Sequence, residues 1–292
     1  MSEGVTIRTE LVMDTLVTIS VLSSGAELAV ERAFRWFHDI ESCCTRFDPN
    51  SELMRLTSQV GVPVPASAML FEPVQFALKV AEETEGAFDP TLGYRMEQRG
   101  FNRNHRTGAI ICTRGCDEGV SYRDVLVDSN ARTIALQRPL ILDLGAVAKG
   151  LAIDMAAHEL QPFRDFSINA GGDLYLGGCN PDGEPWHVGI RHPLDENAAI
   201  YELRVTNEAV CTSGDYERGR HILDPRTGEP AVGAATATVI APAAMTADAL
   251  ATAAFVLGPA AGIALLERLD VDGLVVAPDL ERFETRGLRC AA

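Results

Sequence analysis

Two oxygen-bearing residues, Asp248 and Thr252, stand four apart in the run 246–255. On a helix that spacing stacks the carboxylate above the hydroxyl on one face. Such a pair is part of a site for a hard cation such as Mg²⁺, which takes oxygen ligands and is completed by water and phosphate. The same residues admit a structural reading. Thr246 can cap the helix, Asp248 then falls in the first turn where negative charge is favourable, and Thr252 can bond back to a carbonyl four residues earlier. From this run alone the structural reading leads, because capped helices with an early Asp are common.

A second candidate runs from Asp143 to Lys149. A strand over 141–144 delivers Asp143, the small residues of 145–150 let a ligand approach the backbone, and Lys149 stands where a helix begins near Leu151. Backbone N–H groups at a helix start favour phosphate, and lysine adds a point charge. Equally, Gly145 and Gly150 can serve only a tight turn, with Lys149 solvated. His221, one of six histidines, precedes a tight turn, Asp224-Pro225-Arg226-Thr227-Gly228. A lone strand histidine is more often structural; its claim rises if it faces the metal, since histidine moves protons near neutral pH. Phe47 and Phe88 sit at turn tips and are either core or platforms for a planar ring. There is no phosphate-binding GxxxxGK[ST] loop, no GxGxxG between strand and helix, no GxSxG and no HExxH. Ser213 is therefore a poor hydrolase nucleophile and more naturally shapes a loop.

The elements that must position these residues alternate between strand and helix periods. Residues 5–22 read as two strands around Met13-Asp14-Thr15. Helices are expected over 26–42, 52–56, 68–85, 151–160, 246–257 and 259–269. Strands are expected within 121–145, at 165–170, 174–176, 186–191, 199–205 and 235–242, in a short segment at 221–223, and at 271–276. Residues 98–119 are polar and read as a surface loop, and 212–216 as a glycine-containing turn after Val210. Strand runs and helices mix without strict βαβ alternation, so the fold class is α+β. No linker cuts the 292 residues, so one unit, 1–292, is expected.

Composition bounds the partners. With 47% hydrophobic and 23% charged residues the chain can bury a real core. A net charge of −16 without a basic stripe argues against nucleic acid and anionic membranes. No apolar run reaches a membrane span and the first residues lack an export signal. The seven cysteines show no CxxC; Cys112 and Cys116 could form half a zinc site but no second half follows. Free thiols and a cytoplasmic location are expected.

Taken in order, eight segments resemble the ApbE family, the FAD:protein FMN transferases, over roughly residues 10–260. They are Met13-Asp14-Thr15, the blocks 47–53 and 86–91, 143–150, Asn169-Ala170-Gly171-Gly172-Asp173, 212–216, 221–228, and the helix bearing Asp248 and Thr252. Each is weak alone; together in register they reverse the reading of the helix pair. The resemblance implies an ApbE-like, T-fold-like arrangement of mixed sheets and packed helices, with two closely joined lobes around an FAD cleft. It implies a Mg²⁺-dependent enzyme that splits the pyrophosphate of FAD, moves FMN onto a Ser or Thr hydroxyl of an acceptor flavoprotein, and releases AMP. By position, Asp248, Thr252 and the carbonyl of Ala146 are the implied metal ligands. Met13, Phe47, Ala87, Phe88, Asp89, Asp143, Lys149 and Ile222 are the implied FAD contacts, and His221 assists the transfer. Two rivals share these features: an FAD pyrophosphatase with water as acceptor, and a non-catalytic FAD-binding protein needing neither Mg²⁺ nor His221.

Overall fold

The N-terminal alternation forms β1, Thr6–Val12, and β2, Thr15–Val21. They are joined by Met13 and Asp14, both at positive φ (54° and 60°). Two left-handed residues make the mirror-image turn whose twist matches that of paired strands. The structure is a computed structural model and describes residues 4–104, 107–113, 115–117, 119–215 and 219–288. Tyr216 and Cys290, as well as Met1-Ser2-Glu3 and parts of 98–119, lie outside the described residues.

The chain divides into two compact units. The larger comprises Met1–His38, Lys149–Gly219 and Ala231–Ala292, and the smaller Asp39–Ala148 and Arg220–Pro230. Further elements are α1 (Glu27–Cys44), α2 (Glu52–Thr57), β3 (Val64–Pro65), α3 (Ala68–Glu83), α4 (Gly93–Gln98), β4 (Val125–Asp128), β5 (Thr133–Leu136) and α5 (Gly145–Leu160). They continue as β6 (Phe166–Ala170), β7 (Asp173–Gly177), β8 (Trp186–His192), β9 (Asp195–Val205), β10 (Glu208–Gly214), β11 (Thr236–Ala241), α6 (Ala244–Leu257), α7 (Pro259–Arg268), β12 (Asp272–Val276) and β13 (Arg282–Glu284). The class is α+β, as the mixture of periods predicts.

The larger unit is built on an eight-stranded sheet in the order β1-β2-β6-β7-β10-β11-β12-β13. Every neighbouring pair is antiparallel. Helix α6 packs on β10 and β11, and α7 on β12 and β13. The β8–β9 hairpin contributes Val188, Ile190, Tyr201, Leu203 and Val205 to a core shared with Val210, Ile240 and Val276 of the sheet. Strand β11 therefore has a layer on both faces, and all six of its residues are buried. That is why its sequence, TATVIA, does not alternate. Helix α6 is apolar nearly all round for the same reason.

The smaller unit holds α2, capped by the Ser51 hydroxyl accepting from the Met54 amide at 3.1 Å. It also holds α3, α4 and the three-stranded sheet β3-β5-β4. Among the described residues no helix is long and apolar enough to cross a membrane.

Several expectations need correction. Residues 141–144 form no strand. They run extended against the Pro90–Gly93 turn, with the Asp143 amide donating to Pro90 O (2.7 Å) and the Gly93 amide to Ile141 O (3.1 Å). Helix α5 starts at Gly145, not near Leu151, so the supposed glycine turn is helical. Helix α6 starts at Ala244, and Thr246 does not cap it. Residues 208–214 are strand β10, so Thr212 and Ser213 lie in a ladder rather than a turn. Residues 221–223 join no sheet; one bridge pairs Leu223 with Pro230.

Candidate functional site

In the larger unit, α6 carries Asp248 and Thr252, α5 carries Lys149, β7 begins at Asp173, and β10 carries Ser213. The Lys149 ammonium lies 2.8 Å from Asp248 Oδ2 and also pairs with Asp173. The three side chains are only 16%, 9% and 8% exposed. Asp173 is pinned at its other oxygen by the Thr212 amide (3.0 Å). The expectation of Lys149 at a helix start, or solvated, gives way to a lysine in the second turn of α5 shared by two carboxylates.

Thr252 bonds as the structural reading supposed, its hydroxyl donating to the Asp248 carbonyl (3.1 Å). The same hydroxyl also lies 3.2 Å from the Ser213 hydroxyl. The Asp248 and Asp173 carboxylates thus meet at one lysine, and the Thr252 and Ser213 hydroxyls meet one turn further along α6. Among the described residues no group of three or more His, Cys, Asp or Glu converges. The donor chemistry here is all oxygen, which fits a hard cation such as Mg²⁺ and not zinc. Cys112 and Cys116 are free thiols.

The start of α6 is held from α5. Asp154 accepts hydrogen bonds from the amides of Ala244 (2.6 Å) and Met245 (3.0 Å). These are orphan donors of the first helical turn. Burial raises the Asp154 carboxyl to about 6 even though both amides oppose the shift. Gly150 allows this approach, since a Cβ there would lie 2.5 Å from the Met245 nitrogen and 2.6 Å from the Ala244 carbonyl oxygen. Cys211 is buried beneath, and burial followed by the Asp248 charge pushes its thiol well up. Met13 lies at the β1–β2 turn and is half-buried.

The smaller unit holds the other predicted residues. Arg46 is buried and donates through Nε to Asp143 Oδ2 (2.8 Å) and through Nη2 to Phe101 O (2.6 Å). Its guanidinium carbon stands 4.2 Å from the centre of the Phe47 ring. Asp143 Oδ1 accepts from the Gly145 amide (2.9 Å). Burial would raise the Asp143 carboxyl, but Arg46, the Gly145 amide and His221 together hold it below the usual carboxylate range. His221 meets Phe101 edge-on, with ring centres 6.5 Å apart.

Ala87, Phe88 and Ile222 are buried, so their side chains belong to the core. Phe88 is therefore not an open turn tip, whereas Phe47 is half-buried under Arg46. Asp89 caps the short 3₁₀ turn Pro90–Leu92 and accepts from Thr91 N, Thr91 Oγ1 and Tyr122 N (2.9, 2.7 and 3.0 Å). Burial nevertheless raises its carboxyl. Ala146 lies in the first turn of α5, where its carbonyl is an intrahelical acceptor with one lone pair to spare.

Sequence reasoning did not single out Arg46, Asp154 or Asp173. Asp173 closes the segment Asn169-Ala170-Gly171-Gly172-Asp173, and Arg46 directly precedes Phe47. Asp154 carried no local signal beyond an acid within an apolar helix.

The ApbE family model matches residues 13–275. A protein of Treponema pallidum named FAD:protein FMN transferase is 32% identical over 93% of this chain and 84% of its own length. One of the same name from Haemophilus influenzae is 30% identical over 79% and 72%. The crystal structure of the ApbE protein of Thermotoga maritima superposes with a TM-score of 0.85 at 28% identity, covering 97% of each chain. The flavin transferase ApbE of Vibrio cholerae does so with 0.85 at 25%, covering 97% of this chain and 98% of its own. With the family pattern extending over nearly the whole sequence and the same fold at that agreement, this chain belongs to the ApbE family.

Proposed function

We propose that this protein is an FAD:protein FMN transferase whose reaction depends on Mg²⁺. An acceptor Ser or Thr oxygen attacks the FMN-side phosphorus of FAD, the pyrophosphate P–O bond breaks, and AMP leaves. The observation that carries the reading is the family match over 13–275, which spans both sets of residues described above. The whole chain, 1–292, is taken as one catalytic module.

Asp248, Thr252 and the Ala146 carbonyl would hold Mg²⁺, with the Ser213 hydroxyl beside them. When bound, the ion supplies charge neutralisation for the diphosphate and the departing AMP. Asp143, locked by Arg46, and Phe47, half-buried under the same guanidinium, would contact FAD. So would Met13, Lys149 and the Ala87-Phe88-Asp89 turn, together with Ile222. The Asp89 carboxylate is engaged internally, so backbone groups of that turn are the available ligands. His221 takes the proton of the acceptor hydroxyl. A cytoplasmic location is part of the proposal and rests on the seven cysteines without CxxC spacing; cell fractionation tests it.

The experiment is incubation with FAD, Mg²⁺ and a candidate acceptor protein, followed by intact-mass measurement. A gain of one FMN on the acceptor, with AMP released, is expected. AMP and free FMN with an unchanged acceptor would make the protein a pyrophosphatase, and intact FAD would make it a binding protein.

A further inference from the structure

Two buried carboxylates share one ammonium in the larger unit: Asp248, Asp173 and Lys149, a formal net charge of −1. Asp173 cannot swing away, because the Thr212 amide holds its second oxygen. Lys149 cannot leave the neighbourhood either, since Gly150, next in the chain, is pressed against the first turn of α6. Only the lysine's four-carbon stem is adjustable, and it reaches both acids. A divalent ion on Asp248 would meet a positive charge already seated on the same carboxylate. Like charges at that range, shielded from water, repel strongly.

We propose that Lys149 is a tethered cation that competes with the divalent ion for Asp248, and that Asp173 is the anchorage to which the ammonium retires when the ion binds. This rests on the reading that Asp248 is a metal ligand. In the metal-free protein the lysine keeps Asp248 from standing buried and uncompensated, which is costly. On metal binding, Asp173 keeps the ammonium paired and draws it off Asp248. Metal affinity is therefore set partly by a residue that is not a ligand.

The test is Mn²⁺ binding to the full-length protein without FAD, read from the electron paramagnetic resonance signal of the free ion. Lys149→Met is expected to bind Mn²⁺ about tenfold more tightly, or better. Asp173→Asn is expected to bind several-fold more weakly, because Lys149 then has only Asp248. In the Lys149→Met background the Asp173→Asn change should have little effect, which separates anchorage from direct ligation. Unchanged or weaker binding in Lys149→Met, with binding abolished in Asp248→Ala, overturns the competition and leaves the ligand assignment standing. Wild-type affinity in Asp248→Ala removes the ligand assignment itself. Should Lys149→Met not fold, Asp173→Asn decides: wild-type affinity there overturns the proposal.

Discussion

Replacing Gly150 by alanine should reverse the usual sign of that substitution. In a helix interior Gly→Ala gains about 1 kcal/mol. Gly150 lies within α5, but an added Cβ would stand 2.5 Å from Met245 N and 2.6 Å from Ala244 O in the first turn of α6. Relief to ordinary contact requires the two backbones to part by about 1 Å, and overpacking of this kind costs about 1–3 kcal/mol. The same movement stretches the Asp154 bonds to Ala244 and Met245, now 2.6 and 3.0 Å, toward or past useful length. Each is a bond to a charged acceptor, contributing about 1.5 kcal/mol or more. After the helix-propensity gain, the net loss is about 2–5 kcal/mol. Urea unfolding followed by tryptophan fluorescence measures it, since Trp36 and Trp186 both lie in the larger unit with Gly150. Asp248 stands one turn along α6, so FAD turnover should fall under conditions where the variant is still folded. A variant as stable as the wild type would refute the tight approach of α5 to α6, and with it the account of how Asp248 is placed.

The Asp154 carboxyl sits at about 6 in the fold against 3.8 unperturbed. A raised acid contributes most below its unfolded value and loses that contribution as pH rises through 6, by up to about 3 kcal/mol. The urea midpoint of the wild type should therefore fall relative to Asp154→Asn between pH 4 and 7; a constant difference would show that the carboxyl is not perturbed. Arg46→Met strands Asp143 and should cost about 3 kcal/mol, at the low end for a broken buried pair because Asp143 is 25% exposed. Arg46→Met with Asp143→Leu should recover part of that loss, and a double variant no more stable than the single one counts against the pair. Asp248→Ala should abolish Mg²⁺-dependent AMP release at saturating FAD, and full activity would remove the metal assignment. His221→Ala should still bind FAD, measured by flavin fluorescence, while losing transfer; lost binding would recast it as a binding residue.

Elements with a clear period were legible from the chain. The β1–β2 hairpin, α1, α3 and α7 lie where alternation or helical spacing put them. The errors fall where two local signals conflict. Residues 145–150 contain two glycines, which read as a turn, yet α5 runs straight through them. Gly150 is there for closeness to α6 rather than for backbone freedom, as the nearness of Met245 shows. Residues 141–144 are apolar enough for a strand, but their hydrogen-bond partners are a turn and a helix start, which no period reveals. Thr246 has the right side chain for a cap, but Asp154 already serves that end of α6 from another helix.

The site divides along the same line. Asp248 and Thr252 were visible because a four-residue spacing is local, and the structure shows both the structural bond of Thr252 and its place beside Ser213. What fixes the charges is not local. Lys149 and Asp248 are 99 residues apart, Arg46 and Asp143 are 97, and Asp154 and Ala244 are 90. Each links two segments that the chain alone gives no reason to join. Yet the small residues do leave a trace: α6 reads Ala-Met-Thr-Ala-Asp-Ala-Leu-Ala-Thr-Ala-Ala. A helix so poor in large side chains packs its backbone against neighbours, and a single acid within it is then buried unless a cation comes to it. Lys149 is that cation, one residue from the glycine that brings the helices together, so the alanines of α6 and the Lys-Gly pair of α5 are two halves of one packing requirement.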